Sequence, residues 1–419
     1  MSITTASLAR QSRPARHVLS LVALLVALVM ALGTPAAEAA SAASAAAPGH
    51  PAAVDAQENA KTHAAGAETG RGKPVPGQYV VTVAEGRDPA SAAKGVGANP
   101  KFVYRTAING FTAKLTEGQV RGLRHNPHIE SIQLDEVVQG EATQYITQDG
   151  QPWGLDRIDQ RSGLSGSFTY YGTGASVTAY VIDSGIMTAH GDFGGRARNV
   201  FDAFGGNGQD CHGHGTHVAG TLGGSFYGVA KRVQLRGVKV LNCANSGTQA
   251  GIIAGVDWVM RNAVKPAVAN MSVGSPYYGP TNTAVTNLTR SGVFVSVSAG
   301  NENADACTKS PASAAGTLTV ASSNWYDQKA GDSNWGACVD TYAPGVQIRS
   351  ARLGGGTVAM SGTSMASPHV AGLAALVKGA YGEVASPDMV SYLLSYTTPN
   401  VIKGNYTGTP NRLLFQAGW

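Results

Sequence analysis

Ser361-Gly362-Thr363-Ser364-Met365-Ala366-Ser367-Pro368-His369 opens the most strongly apolar helical pattern of the chain, with Met365, Val370, Leu373, Ala374 and Val377 recurring at helical spacing. The spacing predicts a buried helix over 364–381 and places Ser364 in its first turn. Pro368 is expected to be tolerated there, because the first N–H groups of a helix lack intrahelical partners. A serine so placed offers its own N–H at a helix end whose dipole favours developing negative charge. Alone it reads as a cap. The glycine and alanine around it also let a substrate backbone approach closely.

Working outward, short apolar strands are expected at 177–182, 233–241, 267–272, 293–297 and 318–322. They alternate with helical patterns at 215–223, 251–264, 282–290, 364–381 and 388–396. This alternation predicts an α/β domain around a mostly parallel sheet, whose sites form at the carboxyl ends of the strands. Asp183 stands at such an end, in Val181-Ile182-Asp183-Ser184-Gly185. Asp210-Cys211-His212-Gly213-His214-Gly215-Thr216-His217 sets His214 at the start of a helical segment as a base for Ser364. A rival reading takes Cys211, His212, His214 and His217 as zinc ligands, although their spacing is not the usual one for a zinc helix. Ser298-Ala299-Gly300-Asn301 follows a strand, where an Asn amide can donate to an oxyanion.

Upstream, Arg10, Arg13 and Arg16 precede an apolar run over 18–32, and Ala37-Glu38-Ala39 suits a signal-peptidase site. Residues 1–39 are therefore expected to be a secretory signal. The run is shorter than a membrane span. Residues 40–74, rich in Ala, Ser and Gly, read as a disordered linker. From Gln78 to Val137 the order is strand, helix, strands, helix, strand, with strands at 79–83, 108–115 (around the turn-prone Asn109-Gly110) and 129–137, and helices at 89–96 and 116–125. A unit this small is expected to need a partner surface. The chain's 419 residues carry 14% charged residues and a diffuse net charge of +5. With no basic block among aromatics, nucleic acid is not an expected partner. Four cysteines, at 211, 243, 307 and 338, are expected to pair after export, in any of three ways.

These four motifs, in the order Asp, His, Asn, Ser, resemble the subtilisin superfamily, and within it the proteinase K and aqualysin-type branch, over Trp153 to about Leu414. The resemblance implies a subtilisin-like three-layer α/β fold and a peptidase domain over 141–419. It implies that Ser364 attacks the scissile carbonyl, His214 moves the proton, Asp183 orients the imidazole, and Asn301 with the Ser364 N–H holds the oxyanion. Residues 75–140 look like the inhibitory propeptide of that family, a small α+β ferredoxin-like domain, with cleavage expected between 138 and 147. Polypeptide substrate is implied to lie as an added strand between Ser246-Gly247-Thr248 and Ser272-Val273-Gly274, with Ser298, Ala299 and Gly300 walling the pocket for the residue before the cut. Gln249 stands where relatives often carry an aromatic residue.

Asp156, Asp159, Gln160, Ser165 and Ser167 resemble one calcium site, and Asp340 with the backbone oxygens of Ala315 and Thr317 a second. The same likeness selects the pairs Cys211 with Cys243 and Cys307 with Cys338. The implied protein is a secreted, monomeric, calcium-stabilised endopeptidase inhibited by its own propeptide and free of the membrane after processing. The alternative from another class is a non-catalytic peptide-binding relative.

Overall fold

A computed structural model describes residues 74–140, 143–145 and 152–419. The expected signal (1–39) and, apart from Pro74, the expected linker (40–74) lie outside the described residues. The N-terminal part runs β1 (Pro74–Val83), α1 (Pro89–Gly95), β2 (Pro100–Tyr104), β3 (Gly110–Lys114), α2 (Glu117–Arg124) and β4 (Ile129–Gly140). Both helices start on local signals. Asp88 accepts from Ser91 N with Pro89 in the first turn of α1, and Thr116 with Gln119 forms a capping box at α2.

The antiparallel order β4-β1-β3-β2 completes a ferredoxin-like unit. One expectation is corrected here. Asn109-Gly110 is not the centre of a hairpin: β3 begins at Gly110, its partner β2 ends at Tyr104, and residues 105–109 form the turn. The Asn109 amide is spent on the carbonyls of Val83, Ala84 and Arg87.

After β5 (Thr143–Tyr145) come α3 (Trp153–Ile158), β6 (Thr178–Asp183), β7 (Ala197–Asp202), α4 (His214–Gly223), β8 (Gln234–Lys239), β9 (Ser246–Thr248) and α5 (Gln249–Asn262). Next are β10 (Ala267–Met271), β11 (Val273–Pro276), α6 (Gly279–Arg290), β12 (Phe294–Ser298), β13 (Lys309–Ser310) and β14 (Leu318–Ser323). The chain ends with β15 (Thr341–Pro344), β16 (Ile348–Ala351), β17 (Thr357–Ser361), α7 (Thr363–Tyr381), α8 (Ser386–Tyr396), β18 (Thr398–Pro399) and β19 (Arg412–Leu413).

The central sheet has the order β18-β19-β15-β14-β12-β10-β6-β8-β7, parallel except at β18. All five expected strands lie in it, and all five expected helices form, with ends shifted by a few residues. The strands are apolar on both faces because both faces are covered. Ala179 and Val181 of β6 pack with α4 and α7, while Tyr180 and Ile182 pack with α5 and α6. The second cluster also takes in Val80, Tyr104, Ala107 and Ile108 of the N-terminal unit. That unit completes its own core against α5, as its size requires.

Two histidines are sealed inside the first layer. His217 on α4 bonds the Ile348 carbonyl through Nε2 at 2.9 Å, and His369 on α7 bonds the Met365 carbonyl through Nδ1 at 2.9 Å. Burial pushes His217 down to about 3 and His369 down to about 4 from an ordinary value of 6.5. Unfolded, both would take up a proton below pH 6.5. The stability they contribute by staying neutral is thus full above 6.5 and is lost as pH falls from 6.5 through 4 to 3. In the Ser364→Ala protein, the imidazole resonances of His217 and His369 should show no titration between pH 8 and 5. A midpoint near 6.5 for either would contradict this burial.

Candidate active site

Strand β6 carries Asp183 to the carboxyl edge of the sheet, and α4 starts with His214. Gly213 makes that start possible with φ +106, a conformation that disfavours any side chain. Asp183 Oδ1 bonds His214 Nδ1 at 2.7 Å, and both side chains are fully buried. The pair sits on a polar support that the sequence reading did not find. Asp210 accepts from the backbone N–H groups of His212, Gly213 and Thr216, from Thr216 Oγ1 and from Ser184 Oγ. Lys239, buried beside it, donates to the carbonyls of Ser184 and Leu241. Burial lowers its ammonium pKa. Read alone, Asp210 is a turn aspartate and Lys239 the end of a strand.

The zinc alternative fails on geometry. Cys211 is bonded to Cys243, His217 turns to Ile348, and His214 turns to Asp183. His212 is exposed on the surface beside them, its pKa lowered by desolvation and then by His214. The second disulfide joins Cys307 to Cys338.

Helix α7 begins at Thr363, so Ser364 is its second residue. Pro368 therefore lies in the second turn, not the first, and its missing N–H deprives the Ser364 carbonyl of its i+4 donor. Ser272 supplies the replacement. Its Oγ donates to the Ser364 carbonyl at 2.8 Å, while its own carbonyl receives Ser364 Oγ at 3.5 Å. Asn270 Nδ2 donates to Ser272 Oγ, Ser367 Oγ donates to Asn270 Oδ1, and Ser367 shares a 2.8 Å bond with Ser296 Oγ. The start of α7 is thus tied to β10 and β12 by hydroxyls and an amide, all buried.

Asn301 lies beyond β12. Its Oδ1 accepts from Thr363 N at 2.8 Å and Thr363 Oγ1 at 3.0 Å, and Thr363 Oγ1 in turn accepts from Gly300 N. With the oxygen committed to Thr363, the amide nitrogen points the other way. Ser298 and Ala299 are buried, and the Ala299 methyl packs with Ala306, Ala321 and Val339. Gly300 is at φ +104. Ala299 therefore offers a pocket only its backbone.

The two groove strands are already bridged. The end of β4 pairs antiparallel with β9 (Val137↔Thr248, Val138↔Gly247, Gln139↔Ser246) and with β11 (Gln139↔Gly274, Gly140↔Val273). Beyond it, β5 pairs with β17, Thr143 opposite Ser361. Gln249 does not face this groove as an open wall. It is buried, donating to Ser275 Oγ and accepting from Thr281 Oγ1, which locks α5 to β11 and α6.

Asp156 Oδ1 accepts from Gln160 Nε2, Ser165 N and Ser165 Oγ, and Ser165 Oγ lies 3.1 Å from Ser167 Oγ. Asp159 accepts from Thr169 N through Oδ2, while its Oδ1 is buried without a hydrogen-bond partner. Desolvation, then Asp156 among the charges, raises the Asp159 pKa. Two carboxylates and hydroxyl oxygens around a buried, unpartnered oxygen fit a hard cation. Asp340 is half-buried, accepts from Thr319 N at 2.7 Å and is pushed up to about 6 by desolvation. Ala315 and Thr317 lie in the turn just before β14, the strand whose Thr319 N–H donates to Asp340.

The subtilase family matches this sequence over residues 172–419, and the peptidase inhibitor I9 family over 78–141. An extracellular serine proteinase of Thermus sp. is 46% identical over 324 residues, covering 76% of this chain and 78% of that protein. Proteinase R of Parengyodontium album is 39% identical over 374 residues, covering 87% and 95%. The crystal structure of a cold adapted subtilisin-like serine proteinase is 48% identical, with a TM-score of 0.62, covering 63% of this chain and 97% of that one. The chain belongs to the subtilase family of serine peptidases and carries an I9-type inhibitor domain ahead of the peptidase domain.

Proposed function

We propose that this chain is an exported endopeptidase of broad specificity that cuts itself free of residues 75–140 and thereafter hydrolyses polypeptides through an acyl-enzyme. The observation that carries the reading is the seat of β4, whose last residues occupy the groove as an added strand and lead toward Ser364. Main-chain pairing of this kind reads few side chains, which supports broad specificity. Export accords with the basic and apolar leader and with relatives named as extracellular. Among the described residues no helix is long and apolar enough to cross a membrane.

In the proposed chemistry Ser364 Oγ attacks the scissile carbonyl carbon as its proton passes to His214 Nε2. Asp183, bonded to Nδ1, holds the tautomer and stabilises the imidazolium. The oxyanion accepts from the Asn301 amide and the Ser364 N–H. Loss of either donor is expected to cost about 10²–10³-fold in kcat. The tetrahedral intermediate collapses as the leaving amine takes the proton from His214. Water then repeats the sequence on the ester, returning Ser364 and releasing the acid.

Gly140 is held opposite Val273, adjacent to Ser272, and Thr143 opposite Ser361, three residues before Ser364. This register supports cleavage between residues 140 and 143. Calcium at Asp156, Asp159, Gln160, Ser165 and Ser167, and at Asp340 with the Ala315 and Thr317 carbonyls, would neutralise these carboxylates and stabilise the fold without entering the chemistry.

Expressed in a protease-free host, the wild-type chain should yield a mature product starting at residue 141, 142 or 143 by N-terminal sequencing. Ser364→Ala should stay at precursor size and leave casein intact; a matured, casein-digesting variant contradicts the assignment of Ser364. Chelation of the mature enzyme should lower Tm by about 5–10 °C. Initial rates on a small peptide at 25 °C should stay unchanged. Immediate loss of activity would contradict a purely structural cation.

A further inference from the structure

Asn334 stands far from Asn301 in sequence, in an Ser-Asn-Trp-Gly segment whose composition suggests only a turn. It is fully buried. All the hydrogen bonds of its amide go to one loop. Nδ2 donates to the Ala299 carbonyl at 2.9 Å and to Glu302 Oε2 at 2.8 Å; Oδ1 accepts from Glu302 N at 3.0 Å and Ala304 N at 2.8 Å. A primary amide has two N–H groups to donate and an oxygen with two lone pairs, so the side chain is fully satisfied. Its backbone N–H adds a fifth bond, to the Gly300 carbonyl at 2.9 Å.

These partners bracket Asn301 on both sides. The fit is close enough to dictate Gly300: a Cβ there would stand 2.2 Å from Asn334 Nδ2, and φ is +104. Glu302 is anchored in turn by Lys309 at 3.0 Å. From the other side, Thr363 fixes the Asn301 amide oxygen. The loop is therefore clamped by Asn334 while the donor's amide is oriented by the head of α7. Without the Asn334 side chain, two loop N–H groups and the Ala299 carbonyl lose buried partners on either side of Asn301.

We propose that Asn334 is a positioning residue for the oxyanion: it touches neither substrate nor reacting atoms but sets where the Asn301 donor stands. The proposal rests on the reading of Asn301 given above. A donor displaced by about 1 Å loses much of its worth, because preorganised electrostatic stabilisation depends on aim. The effect should therefore fall on the transition state and not on ground-state binding.

The test uses the mature enzyme with active-site titration, comparing wild type, Asn334→Ala, Glu302→Ala, Asn301→Ala and the double variant Asn301→Ala/Asn334→Ala. The readouts are kcat and KM on a peptide amide, and inhibition by a peptidyl aldehyde, which forms an oxyanion, against the matching peptidyl alcohol, which does not. Asn334→Ala should lower kcat per titrated site about 10- to 100-fold and weaken the aldehyde by a similar factor, with KM and alcohol affinity within about twofold. Glu302→Ala, an exposed change that removes one acceptor, should give the same pattern at about 3- to 5-fold. It decides the matter if Asn334→Ala does not mature. Added to Asn301→Ala, the Asn334 substitution should cost no more than about a further twofold.

A lower Tm with kcat per site unchanged, equal weakening of aldehyde and alcohol, or losses that multiply in the double variant would each overturn the positioning role. If Asn301→Ala itself leaves kcat unchanged, the donor assignment fails first and takes this proposal with it. Loss in Asn301→Ala without loss in Asn334→Ala or Glu302→Ala sinks the proposal alone.

Discussion

The carbonyl of Ser364 lacks an intrahelical donor because Pro368 has no N–H, and the Ser272 hydroxyl fills that gap. This bond joins the helix that carries Ser364, the proposed nucleophile, to the strand pair proposed to receive the substrate. Ser272 stands between β10 and β11, so its side chain holds the helix while the strand that follows builds the groove. Asn270, Ser296 and Ser367 extend the join into the sheet. Every one of these groups is buried, so each must be paired or be strongly destabilising. A polar seam inside an apolar core has few alternative arrangements, and that is what gives the site its definition.

The N-terminal unit exploits the same surface from outside. Its side chains grip the first turn of α5: Asp135 accepts from Ala250 N, and the Tyr104 hydroxyl donates to the Ala250 carbonyl. The exchange is reciprocal, since Asp257 of α5 accepts from the N–H groups of Thr106 and Ala107, and Asn287 donates to the Ala107 carbonyl. Apolar residues of β1, β2 and the 105–109 turn fill in between. An inhibitor docked on α5 and α6 is thereby set to lay β4 along the groove. One interface serves both to complete a small core and to close a site.

Much of the fold was legible because each layer carries its own period. Strands such as Thr178–Asp183 are apolar on both faces, and α7 repeats its apolar residues at helical spacing, so local pattern and tertiary role agree. Two strands were missed where that agreement weakens. Strand Ala197–Asp202 is half-exposed and polar, and Thr341–Pro344 is too short for a period. At the site, Asp183, His214, Asn301 and Ser364 stood out through small-residue motifs around them. Their supports did not. Asp210, Lys239 and Asn334 act through bonds to residues remote in sequence, while their types read locally as turn or surface residues. The Asn109-Gly110 hairpin failed for a related reason: the Asn amide has three carbonyls to satisfy elsewhere.

The central claim is that burial and helix geometry make one serine, Ser364, the nucleophile, with His214 as its base. The most direct measurement is to treat the mature protein with a biotinylated alkyl fluorophosphonate, digest it and locate the adduct by mass spectrometry, beside a His214→Ala variant. The account predicts one phosphonyl group per molecule, on Ser364, with the labelling rate reduced at least about 10³-fold in the variant. An adduct on another serine, or undiminished labelling of Ser364 without His214, would contradict it.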